Sequence, residues 1–361
     1  MRILLTIQDF STTGGSERVA TNLANALCEL GHEVEVMSHY QKNQTFPYSL
    51  HPSVKYWLAR HYDKFTQAKP RIFMHTRNAL ARRLVNGYIA RRGHYDFIIC
   101  NDAHYYPYDK QRGTKYLKIM HSGYEFSSLN RRNAFFDTLI VLSARELDAW
   151  RTHHKSVRVI PNFLPHIPQH SANPAQKVVL SVGRLSEEKG FSRLLDIWQL
   201  LARDEDFKDE FKQWRLIIVG DGVLKPELER KVREFQLSNV RFKPFTKDIE
   251  SEYLSASIYA MSSHWEGFGM VLAEASACAL PCIAFDVKTG PSDIIESEKS
   301  GFLVADNDLA GFAKALKILM SDENLRREFG RNAKQIVGEK FSKEVILEKW
   351  EILFKELENK P

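Results

Sequence analysis

Glu266 and Glu274 stand eight positions apart, with Gly267 and Gly269 between them. Ile258 to Met261 reads as an apolar strand before them. Met270, Val271, Leu272 and Ala275, then Ala277 to Leu280, read as a buried helix that stops before Pro281. Glycine at a strand-to-helix turn lets the backbone approach a ligand, and the first N–H groups of the new helix have no intrahelical acceptor. With the positive end of the helix dipole they make an anion site. Glu266 falls in the loop and Glu274 about five residues, roughly 7.5 Å, further along the helix. A glycosidase pair acts on one bond across roughly 5 to 9.5 Å; here the two acids leave the backbone at different levels, with the anion site between them. That suits a grip on both ends of an elongated ligand with a negative middle, which is the shape of a nucleotide-sugar. Either acid alone reads as a solvated loop or helix-face residue. The coincidence of glycines, helix start and both acids favours binding.

The run Ser262-Ser263-His264-Trp265-Glu266-Gly267-Phe268-Gly269-Met270-Val271-Leu272-Ala273-Glu274-Ala275 resembles the E-x7-E signature of retaining family 4 glycosyltransferases. The likeness continues through Ser276 to Asp286, Gly290-Pro291-Ser292-Asp293-Ile294-Ile295 and Gly301-Phe302-Leu303-Val304. Ala279 stands where that family usually has Gly, a difference expected to affect packing more than chemistry. The resemblance implies an α/β fold of two Rossmann-like domains whose parallel sheets face each other across a cleft, the GT-B fold, with the active site between the lobes. It assigns Glu266 to sugar hydroxyls and Glu274 to the ribose. The backbone N–H groups of Gly269, Met270 and Val271, in one turn with Gly267 and Phe268, go to the donor diphosphate, and Phe245 marks the seat of the base. In Gly183-Arg184-Leu185-Ser186-Glu187-Glu188-Lys189-Gly190, Arg184 and Lys189 match the family's diphosphate clamp. The chemistry is direct, since a departing nucleoside diphosphate gathers negative charge that a fixed guanidinium and an ammonium stabilise. His121 matches the strand-end histidine beside the donor sugar, expected to position a group or handle a proton. Gly14 and Gly15 match a diglycine turn near donor phosphate and acceptor. UDP is the nucleotide implied, carrying a hexose or N-acetylhexosamine, and retention implies front-face attack within an ion pair. No carboxylate nucleophile for double displacement stands out.

The elements that must hold these residues follow from pattern. Arg2 to Ile7, Val34 to Ser38, Asp96 to Cys100, Tyr116 to Met120, Thr138 to Ser143 and Val157 to Pro161 read as strands of a first sheet. A helix carrying Val19, Leu23, Ala26, Leu27 and Leu30 follows the first strand and ends at Gly31. The opening turn lacks both G-x-G-x-x-G and G-K-[ST], so neither a nicotinamide or flavin site nor a P-loop is supported. Phe46 to Gly93 is irregular, with a helical reading from Pro70 to His94. Pro161 to Pro168 resembles the family's crossing between domains, with Phe163 in place of the usual Gly, and the proline-rich stretch to Pro174 reads as a linker. Val178 to Val182, Leu216 to Gly222, Val240 to Phe245, Ile258 to Ser263, Pro281 to Asp286 and Phe302 to Ala305 alternate with helices, which implies a second parallel sheet. Phe341 to Leu357 is amphipathic. The expected division is 1–165 for the acceptor and 166–340 for the nucleotide-sugar, with a helix of about 341–361 packing back on the first domain.

A chain of 361 residues exceeds the size at which one core keeps growing. No apolar run approaches the roughly 18 residues of a membrane span. Met1-Arg2-Ile3-Leu4-Leu5 leads into a strand rather than a signal peptide, so a cytoplasmic location is expected. Cys28, Cys100, Cys278 and Cys282 lack metal-ligand spacing and read as reduced core residues. No Asp-x-Asp motif stands out as a metal ligand, and neither a metal nor another cofactor is expected. The net charge of +6 is uneven: residues 1–165 hold 23 basic and 13 acidic side chains, the rest 28 and 32. Arg71, Arg77, Arg82, Arg83, Arg91 and Arg92 do not gather on one helical stripe. They still suit an anionic acceptor or the inner face of a membrane, at about 1 kcal/mol per basic residue near such a surface, or else form a solvated face. No module for nucleic acid appears. The function expected is transfer of a sugar to a lipid-linked glycan in bacterial envelope polysaccharide or glycoconjugate synthesis. The alternatives are a nucleotide-sugar epimerase of the same fold, a transferase with a soluble acceptor, and a non-catalytic partner subunit.

Overall fold

A computed structural model of the chain describes residues 1–59, 85–102, 105–127 and 130–359. Arg71, Arg77, Arg82 and Arg83 lie outside the described residues. The chain divides into two compact units, Met1–Asn162 with Leu347–Pro361, and Phe163–Ile346.

The first unit is built on β1 (Arg2–Asp9), β2 (Glu33–Tyr40), β3 (Lys55–Leu58), β4 (Phe97–Cys100), β5 (Lys115–Met120), β6 (Thr138–Val141) and β7 (Val157–Val159). They form one sheet in the order β3-β2-β1-β4-β5-β6-β7, every pair parallel. β4 and, but for Thr138, β6 are apolar, and both are buried along their whole length, as strands covered on both faces are. The short edge strand β3 lies in a stretch whose pattern reads as irregular. Trp57 within it is buried and donates to Glu35 of β2 at 3.1 Å. Glu323–Phe341 is a helix, and after Ser342, whose backbone is extended, the amphipathic helix expected over Phe341–Leu357 follows as Lys343–Glu358. Phe354 of the second lies 4.4 Å, ring to ring, from Phe97 of β4, and Glu351 bonds His32 at 2.8 Å, which fixes this helix to the first unit.

The second unit is built on β8 (Val178–Val182), β9 (Arg215–Val219), β10 (Val240–Lys243), β11 (Ile258–Met261), β12 (Cys282–Asp286) and β13 (Gly301–Ala305). Its sheet runs β10-β9-β8-β11-β12-β13, again parallel throughout. Leu194, Ile197 and Trp198 of the helix Phe191–Ala202 pack with Trp214, Ile218, Phe312 and Leu316 in its core. In each sheet the strand order reverses once, between β1 and β4 and between β8 and β11, and ligands of such sheets bind beyond the carboxyl ends of strands at that reversal.

Ala279 ends the helix Met270–Ala277 with φ +62°, the left-handed conformation. Its N–H donates to Ser276 and that of Leu280 to Ala275, which is the helix-ending pair of bonds that glycine serves best. A Cβ on Gly330 would fall 2.1 Å from the Ala279 carbonyl, so the neighbouring helix also presses close here. The difference from the family at this position is therefore one of backbone conformation as well as packing. Cys100, Cys278 and Cys282 are buried, and all four cysteines are free.

Candidate active site

The loops after β8 and β11 flank the reversal point of the second sheet and are locked together. Gly190, at φ +62°, ends the turn Glu187–Lys189, and a Cβ there would lie 2.0 Å from the Ser262 carbonyl. Ser262 Oγ donates to the Lys189 carbonyl at 3.2 Å, and the His264 N–H to that of Glu188 at 2.8 Å. Across this seam Lys189 Nζ donates to Glu266 Oε1 at 2.7 Å, and Ser263 Oγ to the same oxygen at 2.6 Å. The Glu266 side chain is 7 % exposed. Both bonds fall on Oε1, so Oε2 has no hydrogen-bond partner among the described residues.

The helix after Glu266 begins at Met270, with Gly269 in the left-handed region (φ +86°) and no side chain capping it. Its first N–H groups are therefore open to an anion. Gly290, at φ +96°, backs the loop, since a Cβ there would meet the Phe268 carbonyl at 2.8 Å and Glu266 Cβ at 3.1 Å. Thr289 Oγ1 donates to the Glu266 carbonyl. The ring of Phe268 is buried edge-on against Phe341, so its side chain packs inward and only its backbone belongs to the turn. One turn along, Glu274 Oε2 accepts from Tyr253 OH at 3.1 Å.

Arg184 sits between Gly183 and Leu185, where close backbone contacts fix the chain. A Cβ on Gly220 would lie 2.0 Å from the Gly183 carbonyl and one on Gly222 2.3 Å from that of Leu185. Arg184 itself is exposed, and its guanidinium has no hydrogen bond or ion pair among the described residues. Asp221, after β9, accepts from the Phe245 N–H at 2.8 Å, while the Phe245 ring is 51 % exposed. Read along the strand order, the carboxyl edge thus presents an exposed aromatic after β10, two cations after β8, and an acid beside an uncapped helix after β11.

Arg193 carries no motif signal, yet it organises this edge. It is 6 % exposed, and its Nε donates to the Ser262 carbonyl at 2.6 Å and its Nη2 to the Ser263 carbonyl. Nη1 bonds Asp306 at 2.7 Å and Asn307 at 3.1 Å, beyond β13. Its guanidinium also lies 4.0 Å over the Phe285 ring. Burial pulls its pKa down while Asp306 pushes it up. The available signal was an arginine set among Phe191, Leu194, Leu195 and Trp198, where a charge is buried only if bonded. Tyr253 left no comparable trace.

In the first unit, Gly14 and Gly15 open the helix Gly15–Glu29 after β1, and a Cβ on Gly15 would meet nothing within 4 Å. His121 follows β5, with Nε2 3.2 Å from Asn101 Oδ1. Burial lowers its pKa to about 4, opposed by Asp102 and reinforced by Lys118. Of the six arginines singled out, two lie among the described residues. Both are exposed; Arg92 also stacks 4.2 Å over Trp57 and lies 3.5 Å from the buried Glu35. No group of three potential metal ligands occurs among the described residues. Nor is any helix among them long and apolar enough to cross a membrane.

Comparison with known proteins gives the family and the fold. Residues 164–336 match the family model for glycosyl transferases group 1, and residues 13–166 that for Glycosyltransferase Family 4. An uncharacterized glycosyltransferase of Haemophilus influenzae is 27% identical over 95% of this chain and 97% of its own length. A Campylobacter jejuni enzyme named as a GalNAc-alpha-(1->4)-GalNAc-alpha-(1->3)-diNAcBac-PP-undecaprenol alpha-1,4-N-acetyl-D-galactosaminyltransferase is 27% identical over 96% of each chain. TarM of S. aureus, solved with UDP and alpha-GlcNAc-glycerol, superposes with a TM-score of 0.79 at 16% identity over 98% of this chain and 99% of its own, a likeness of fold. The two family matches together run from residue 13 to residue 336, and the chain is a glycosyltransferase of family 4 with the GT-B fold.

Proposed function

We propose that the protein is a metal-independent, retaining glycosyltransferase that moves a sugar from a UDP-sugar to a lipid-linked glycan in bacterial polysaccharide or glycoconjugate synthesis. The observation that carries the donor reading is the contact of Lys189 with Glu266 beside the uncapped start of the helix Met270–Ala277. A diphosphate at that start takes Arg184 and Lys189 as counter-charges, and Glu266, relieved of Lys189, accepts from sugar hydroxyls. Glu274, held by Tyr253, grips the ribose, and the exposed Phe245 lies two strands beyond the cations, toward the base. As the bond from the anomeric carbon to the β-phosphate oxygen breaks, its electron pair goes to that oxygen, where the two cations stabilise it. The acceptor oxygen bonds the same carbon, and its proton passes to the departing phosphate.

UDP is supported by its presence in the S. aureus TarM structure, and a polyprenyl-diphosphate-linked acceptor by the name of the Campylobacter relative. The basic balance of residues 1–165 suits such an anionic acceptor at an inner membrane surface. The test is to supply a panel of UDP-sugars with an undecaprenyl-diphosphate oligosaccharide in the presence of EDTA. The expected result is UDP release and label in the solvent-extracted lipid, with the α-anomeric configuration of the donor kept. A new UDP-sugar isomer without acceptor would instead make the protein an epimerase, and loss of turnover in EDTA would show a required metal.

A further inference from the structure

Asn101 and His121 stand just beyond the carboxyl ends of β4 and β5, beside the reversal point of the first sheet. Asn101 is 4 % exposed, its main-chain N–H donates to the Thr6 carbonyl at 2.9 Å, and its Oδ1 lies 3.2 Å from His121 Nε2. Its Nδ2 has no acceptor among the described residues. An amide oxygen can only accept, so a neutral imidazole bonded to it carries its single proton on Nε2 and leaves Nδ1 as a lone pair. A buried amide nitrogen without an acceptor is a donor waiting for an oxygen.

We propose that Asn101 is a positioning residue that fixes His121 as the Nε2–H tautomer, so that Nδ1 accepts a hydrogen bond from a hydroxyl of the carbohydrate ligand while Asn101 Nδ2 donates to a ligand oxygen. This rests on the glycosyl-transfer reading. His121 then orients a hydroxyl and does not take its proton. The charges around the ring fit that role. Burial holds the ring neutral, and Lys118 of β5 acts in the same direction. Asp102, the nearby carboxylate, is already engaged by Thr6 Oγ1 at 2.9 Å and the Tyr105 N–H at 2.8 Å, with His39 of β2 3.5 Å away.

The tautomer is read directly from the ring-nitrogen chemical shifts of isotope-labelled histidine in the ligand-free full chain, with His121 assigned by loss of its signals in His121→Asn. The expected spectrum at neutral pH is a single Nε2–H imidazole. Asn101→Leu, of similar shape but without an acceptor, should give a mixture of tautomers. Asn101→Asp, which keeps the accepting oxygen, should retain Nε2–H. An Nδ1–H tautomer or an imidazolium in the wild type overturns the proposal even if neither variant folds, as does an unchanged tautomer in Asn101→Leu. Because the measurement needs no sugar nucleotide, its outcome is separate from that of the transferase assay. With donor and acceptor supplied, Asn101→Leu should lower kcat and leave the affinity for UDP alone unchanged; a loss confined to UDP affinity would also contradict the assignment.

Discussion

Lys189 donates to Glu266 Oε1 at 2.7 Å across the seam between the loops that follow β8 and β11, and the same ammonium is the cation proposed to meet a diphosphate. One side chain thus has two competing partners. Removing the charge of Glu266 should free Lys189, so Glu266→Gln is expected to bind UDP several-fold more tightly, by about 1 kcal/mol, while losing sugar transfer. Calorimetry of UDP against both proteins, with turnover measured alongside, checks the opposed directions.

Arg193 satisfies two strand-end carbonyls and joins them to Asp306 and Asn307. Arg193→Leu leaves those carbonyls without donors in a buried setting and should destabilise the second unit by about 2 to 4 kcal/mol. Arg193→Lys should recover part of that and restore UDP binding before it restores turnover. Urea unfolding followed by tryptophan fluorescence, with Trp198 and Trp214 in the affected core, measures the first effect.

Ala279 holds a left-handed conformation at φ +62°. Ala279→Gly should therefore stabilise the protein by about 1 kcal/mol, the strain of a Cβ in that region less the greater freedom of glycine when unfolded. An upward shift in Tm without change in turnover is the expected result.

His121 has an ordinary pKa of 6.5 when exposed and about 4 in the fold. The unfolded chain binds its proton more readily, so the associated stability is complete above pH 6.5, declines as pH falls from there toward 4, and changes no further below it. The slope is at most about 1.4 kcal/mol per pH unit. His121→Asn should be less acid-sensitive than the wild type across that window, which unfolding at neutral pH and near pH 5 would show.

Much of this architecture was legible because parallel strands buried on both faces read as unbroken apolar runs. Phe97–Cys100 and Ile258–Met261 declare themselves that way. The site was legible where backbone geometry demands glycine, as at Gly190, Gly269 and Gly290, since those glycines punctuate the sequence beside the charged residues they position. Arg193 and Tyr253 were not, because a residue that acts through another leaves no spacing of its own. β3 escaped because four residues at a sheet edge carry too little alternation to stand out from a loop. The last helix was legible from Phe341 to Leu357 because its apolar residues keep helical spacing, and it forms as Lys343–Glu358. In sequence Arg92 is one more cation in a basic stretch, whereas in the fold it stays exposed while pairing with Trp57 and Glu35, which are distant along the chain.

The central claim is that Arg184 and Lys189 hold the diphosphate of the donor. Titration of UDP into the wild type and into a variant with Arg184→Ala and Lys189→Ala together tests it most directly, after circular dichroism has shown that the variant is folded. Loss of two charge-assisted contacts of about 1.5 to 3 kcal/mol each should weaken binding by at least about a hundredfold. An unchanged dissociation constant would contradict it.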